Sequence, residues 1–421
     1  MSDFSYAGPA TLRGQLQRGR GLGARRAQMA SDGADLVYEC VISDSRWDRW
    51  TESRDSYLAR SIHRMDLPLA EVESRLMAHD GDDPEEVELA LQVLALLPFL
   101  GRTDAVPVLR RYAVDGRHWP AALDALGWTG AWKIPEVREG IGAEVVARRG
   151  DAELAAAVDG DREPWSSWAR TQPRIRRILD GYAARPTPPP ALPPVPDSYA
   201  GLSTADLAAR IGGAAGRPRR LALQEMGRRG DPTVLDLAED ASLRNAAGWT
   251  PGIAEALRHL GTTAVGRART WAGGSDPTLH RLAVGILAEV GERDDGPYLL
   301  HALTTAAAAG DWCATEPAAG GLGRLRMTGA TDALVHVWET TVHSSAREAV
   351  HQGLRGCAPG VADGYSVEGL DDCEPGVQQA ASAVAPDTPQ VRARLRELHD
   401  DPLAPEVRDA AGRRLTQFAG A

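Results

Sequence analysis

The sequence predicts an all-α protein built as an α-solenoid of antiparallel helix pairs. Apolar residues recur at three- and four-residue spacing, strand-type alternation is nearly absent, and a helix-pair frame returns at intervals of about 30 to 45 residues.

The first 30 residues read as a flexible basic arm. Residues 11–27, TLRGQLQRGRGLGARRA, carry Arg13, Arg18, Arg20, Arg25 and Arg26 and no acid, and Gly14, Gly19, Gly21 and Gly23 weaken any helix there. Such an arm suits phosphate or an acidic partner through charge alone; the simpler reading is a solvated arm lying on an acidic body.

Residues 31–182 form an N-terminal helical segment with degenerate repeats. Its clearest frame is at 82–115. Val87, Leu91, Leu94 and Leu97 make one helical face after Asp83 and Pro84, Gly101 stops that helix, and Ala105, Val108, Leu109 and Tyr112 line the next. The acids from Asp80 to Glu88 lack calcium-loop spacing and fit the positive end of a helix dipole.

Residues 183–198 are a proline-rich linker, AARPTPPPALPPVPDS, which excludes regular helix. Residues 199–421 are the C-terminal repeat segment. Its best unit is DPTLHRLAVGILAEVGERDDGPYLLHAL at 276–303: Asp276 caps, Pro277 opens the first turn, Leu279, Leu282, Ala283, Ile286 and Leu287 form the buried stripe, and Gly291 ends it. Gly230, Gly261 and Gly291 punctuate the array at similar intervals, with Gly329 after a longer one.

These frames, an Asp-Pro start, an Ala/Leu stripe, a glycine stop and a second helix, resemble HEAT repeats of the short prokaryotic form. The resemblance covers 82–115 and most of 215–418, and it implies a concave surface that serves a macromolecular partner. Some HEAT-like arrays are alkylpurine DNA glycosylases, which is the alternative function, with Trp47 beside Asp48 and Trp119 near Asp124 as the residues to examine.

Composition bears on that choice. The chain has 421 residues, net charge −11 and a pI near 5.5, and both sides of the linker are acidic, unlike an enzyme that wraps duplex DNA. No apolar run is long enough to cross a bilayer, no signal-peptide pattern opens the chain, and the four cysteines lack CxxC spacing. A cytoplasmic protein with no membrane contact is expected. Arginine replaces lysine almost throughout, a bias that fits a GC-rich genome.

Candidate binding residues are Trp47, Trp50, Trp119, Trp128 and Trp132, among eleven tryptophans, together with Arg18, Arg20, Arg25 and Arg26 of the arm. Trp165 and Trp168 belong to the same N-terminal bunch. His336 with Glu339 and Glu348 with His351 form two i, i+3 pairs with metal-ligand chemistry, but polar residues on wet helix faces explain them better. No catalytic motif, cofactor fingerprint or metal site is expected, and RIGGAAGRP at 210–218 has no preceding strand to make it a phosphate loop. The expected function is a protein-binding scaffold.

Overall fold

The computed structural model describes residues 5–78, 81, 83–135, 140–158, 163–183, 199–213 and 216–420. Among the described residues all regular structure is helical. In the N-terminal part the α-helices are α1 Leu12–Gln17, α2 Gly21–Ala27, α3 Gly33–Ile42, α4 Arg54–Arg64, α5 Leu69–Ala78, α6 Glu85–Leu96, α7 Ala105–Asp115 and α8 Trp119–Thr129. There follow α9 Ile141–Arg148, α10 Asp151–Ala157, α11 Trp165–Trp168 and α12 Pro173–Ala183. The middle of the chain forms α13 Thr204–Gly213, α14 Arg217–Arg228, α15 Thr233–Glu239, α16 Ile253–Leu260, α17 Val265–Ala272, α18 Pro277–Val290, α19 Gly296–Ala309, α20 Trp312–Arg324, α21 Thr331–Thr340 and α22 Ala346–Cys357. The last helices are α23 Pro359–Gly369, α24 Pro375–Val384, α25 Pro389–Asp400 and α26 Pro405–Ala419.

The chain forms two compact units. The first comprises Met1–Thr187, Val342–Ser345 and Asp363–Ala421, and the second Pro188–Thr341 and Ala346–Ala362. The expected 199–421 segment is therefore divided, because its last residues pack with the N-terminal part. Apart from Ala183, which ends α12, the expected linker at 183–198 lies outside the described residues, as do Asp80 and Asp82 of the acidic run.

In the first unit α6 is the central helix. Residues Val87 to Leu97 along it are almost all buried, and α3, α4, α7 and α8 pack around it. Glu85, Glu86 and Glu88 occupy its first turn, where their charge complements the helix dipole. Gly101 ends the following 3-10 turn with φ 84°, a conformation costly for other residues. Leu370, Ala381, Val391, Leu395, Leu398, Val407 and Phe418 make a second core among the last helices.

In the second unit α14, α16, α18, α20 and α22 form one row, each packed on the next, while α17 and α18, α19 and α20, and α21 and α22 pack as successive pairs. Asp276 caps α18 as expected: its carboxylate accepts from the backbone N–H of Thr278 and Leu279, at 2.9 and 3.2 Å. Close packing in the row needs glycine. A Cβ at Gly321 would meet Ala288 at 2.6 Å, and one at Gly323 would meet Gly353 at 2.7 Å.

Arginines fasten the ends of several helices. Arg149 donates to the carbonyls of Val114 and Gly116 at the end of α7, Arg219 to Ile211 in α13, and Arg414 to Ala385 after α24. Arg324 is the fullest case, donating to Leu287, Ala288 and Gly291 at 3.1, 2.8 and 2.7 Å, so three carbonyls at the end of α18 gain a charged donor. Whatever set the arginine bias, the fold uses the fork of the guanidinium here, which lysine does not have. Arg324→Lys is expected to keep the charge yet lose about 1–2 kcal/mol, because a single ammonium does not span three carbonyls. Urea unfolding checks this, with a lower midpoint and an unchanged slope.

Candidate functional site

The arginines expected on a mobile arm are built into the first unit. Residues 11–27 fold as α1 and α2, and Thr11 caps α1 by accepting from Gly14 N–H. Arg18 is buried, donates to Ala7 and Gly14 carbonyls at 2.8 and 2.9 Å, and lies over the Tyr6 ring. Arg20 is 3% exposed and forks onto Glu368 at 2.8 and 3.1 Å. Arg25 stands 3.7 Å from Asp371, and half-buried Arg26 donates to Ala10 and Gln15 at 3.1 and 2.9 Å. This corrects the flexible arm of residues 1–30 wherever it is described. The glycines that suggested flexibility serve close packing: a Cβ on Gly21 would collide with the Glu368 carbonyl, and one on Gly19 with Cys373.

The tryptophans divide. Trp119 is 4% exposed, meets Trp165 edge to face at 6.3 Å, and lies beneath Arg149; Trp165 in turn meets Trp168. That cluster is core packing. Trp132 is half-buried against the same core. Trp50 and Trp128 are 81% and 71% exposed, and Trp47 is partly exposed with its ring 4.5 Å from His343. Of the Trp and Asp pairs considered for the glycosylase alternative, Trp119 is buried while Asp124 is exposed, and Asp48 accepts from the Trp50 backbone N–H, anchoring its own loop. Likewise His351 is buried while Glu348 and His336 are exposed, so the two metal-type pairs do not converge.

Two adjoining depressions form a groove on the second unit. One depression of about 400 Å³ is lined by Trp249, Leu257, Leu282, Ile286 and Pro317, with Arg258 and Glu289 at its edges. A second, of about 880 Å³, is lined by Pro277, Val284, Tyr298, Ala302 and Ala306, with His280 and His301. The two share Arg281 and Pro317, so they meet across α18 and α20. Gly285 and Gly320 lie in the first depression, and a Cβ at either would meet nothing within 4 Å. The fold does not require these two glycines, although each weakens its helix by about 1 kcal/mol relative to alanine.

Sequence reading named the buried stripe of α18 but none of the groove as a site. The available signal was glycine inside a helical pattern, at 285 and 320, beside Pro317 within α20. Among the described residues no group of His, Cys, Asp and Glu is arranged to hold a metal, and no helix is long and apolar enough to cross a membrane. No protein-family model matches the chain, and comparison with curated proteins finds no similar sequence.

Proposed function

We propose that this protein is a binding scaffold in which the second unit is a HEAT-like solenoid segment that receives a stretch of a partner protein. The observation that carries this reading is the groove that crosses α18 and α20. Its lining is mainly apolar and includes the aromatic residues Trp249 and Tyr298. The two glycines leave room for a partner to approach the helix backbones. Its charges are mixed, Arg258 and Arg281 against Glu289 and Asp311, which favours a protein segment over the phosphate backbone of a nucleic acid. The nucleic-acid-directed alternative loses support because the arm arginines are engaged within the fold.

Filling the groove tests the reading. Phenylalanine is a better helix former than glycine, so Gly285→Phe and Gly320→Phe are expected to fold while occupying the depression. Affinity capture with the full chain from the native cell extract, at low and moderate salt and with nuclease, should retain one stoichiometric protein on the wild type. The filled variants should retain at least about tenfold less of it. Equal recovery by the variants, or capture only of nucleic acid lost at moderate salt, overturns the proposal.

A further inference from the structure

A surface loop in the first unit holds two indoles in water on a rigid frame. Residues 43–53 join α3 to α4, and polar contacts brace them at nearly every step. The Arg46 side chain, 2% exposed, forks onto Asp44 at 2.7 and 3.0 Å and donates to the Arg49 carbonyl at 3.3 Å and to Gln92 of α6 at 3.0 Å. The Trp47 N–H donates to Glu52 at 3.2 Å and the Trp50 N–H to Asp48 at 2.9 Å, while Arg49 pairs with Glu85 in the first turn of α6. On this frame Trp50 is 81% exposed and Trp47 44%. The fold gains little from the Trp50 side chain, yet the backbone that carries it is already ordered. A tryptophan held in that way contributes to binding without an ordering cost.

Charge selects the partner. The pair with Glu85 sets the loop beside the acidic first turn of α6, where Asp83, Glu85 and Glu86 are exposed, and Asp48 adds a fourth carboxylate from the loop itself. Two cations oppose them. Arg49 is shared between Glu85 and Asp44, the latter at 3.7 Å, and Arg117 adjoins His118, whose Nε2 lies 2.7 Å from the Gly81 carbonyl. Arg46 is engaged with Asp44 beneath the surface. Among the described residues this patch therefore carries four carboxylates against Arg49 and Arg117. An exposed indole face beside surplus carboxylate suits a guanidinium, which stacks on the ring and forks onto the acids, and it repels an acidic segment.

We infer that Trp50, with Trp47 and the first turn of α6, docks an arginine-rich segment of a partner protein. One guanidinium of the segment stacks on the Trp50 indole, and its neighbours pair with the carboxylates of Asp48, Asp83 and Glu86. The inference does not rest on the groove of the second unit.

Fluorescence anisotropy on the full chain tests it with a dye-labelled peptide of about eight alternating arginine and glycine residues, beside its glutamate–glycine counterpart, at about 0.15 M salt. The arginine peptide is expected to bind with Kd below about 0.5 mM, and the glutamate peptide should not bind in that range. Trp50→Ala and Glu86→Arg, both at exposed positions, should each weaken binding at least about fivefold and leave the unfolding midpoint unchanged. Trp128→Ala removes an exposed indole at the other end of α8 from His118 and should bind as the wild type does. Four results overturn the surface: no binding of the arginine peptide in that range, equal binding of the glutamate peptide, unchanged affinity in Trp50→Ala or Glu86→Arg, or an equal loss in Trp128→Ala.

Discussion

Arg20→Ala is expected to destabilise the first unit by about 3–5 kcal/mol, enough to unfold many domains of ordinary stability. The guanidinium forks onto Glu368 with both partners buried, at 3% and 8% side-chain exposure, so truncation leaves a carboxylate in the interior without its counter-charge. Arg20 and its neighbours are tied into the first unit by further contacts, two of which join the early and late parts of the chain. Cys373 N–H donates to the Gly19 carbonyl at 2.9 Å, Tyr57 Oη donates to the Arg20 carbonyl at 2.9 Å, and Arg60 pairs with Asp401. Because the desolvation cost of a buried pair nearly cancels its attraction, Arg20→Met with Glu368→Leu should recover most of the loss. Arg13→Ala is the control, since Arg13 is half exposed and its pair with Glu39 lies at the surface, worth about 0–1 kcal/mol. Guanidinium unfolding of the four proteins decides the matter. A loss for Arg20→Ala no greater than for Arg13→Ala means that residues 11–27 are not part of the core.

The helical class was legible because it is a local property. The stripe of α18, its Asp276 cap and its Pro277 first turn lie within a few residues of each other, and the glycine after Val290 ends the helix where the pattern stops. The arm was misread because glycine has two physical meanings. Between polar residues it signals a flexible chain, but Gly14, Gly19, Gly21 and Gly23 allow backbone and side chains to approach where a Cβ would collide. At Gly19 and Gly21 nothing in residues 11–27 distinguishes the two, since the atoms that crowd them belong to Arg54 and to Glu368, Asp371 and Cys373, the last three some 350 residues away in sequence. The tryptophans failed similarly. Trp119 and Trp128 share one helix, yet one is core and the other is 71% exposed, a difference set by what packs against each face. The groove is still less legible, because it is assembled from residues on several helices.

Stability should also fall with acid through His351, and the effect should be about 3 kcal/mol by pH 4. This histidine is 1% exposed on α22, with its ring 6.2 Å from that of Trp338 on the packed helix α21. Burial, with the charge of Arg355 one turn along adding to it, lowers its pKa from 6.5 to about 4. The sign follows from which state takes the proton. Above pH 6.5 the imidazole is neutral whether the chain is folded or not, and it contributes no slope. Between 6.5 and 4 the unfolded chain binds a proton that the folded chain refuses, so each pH unit moves the balance toward unfolding by up to about 1.4 kcal/mol. Glu316 on α20 acts in the opposite direction: burial, then the charge of Glu348, raises its carboxyl, so protonation on acidification relieves a cost in the folded state. The whole-protein profile therefore mixes the two, and the informative quantity is the difference between wild type and His351→Gln. That difference should be flat from pH 7 to 8 and should shrink steadily as pH falls from 6.5 to 4, because the variant lacks the group that loses stability. Parallel profiles for wild type and His351→Gln would mean that the folded protein admits a proton at this position as readily as water does, which a histidine packed against Trp338 at 1% exposure should not allow.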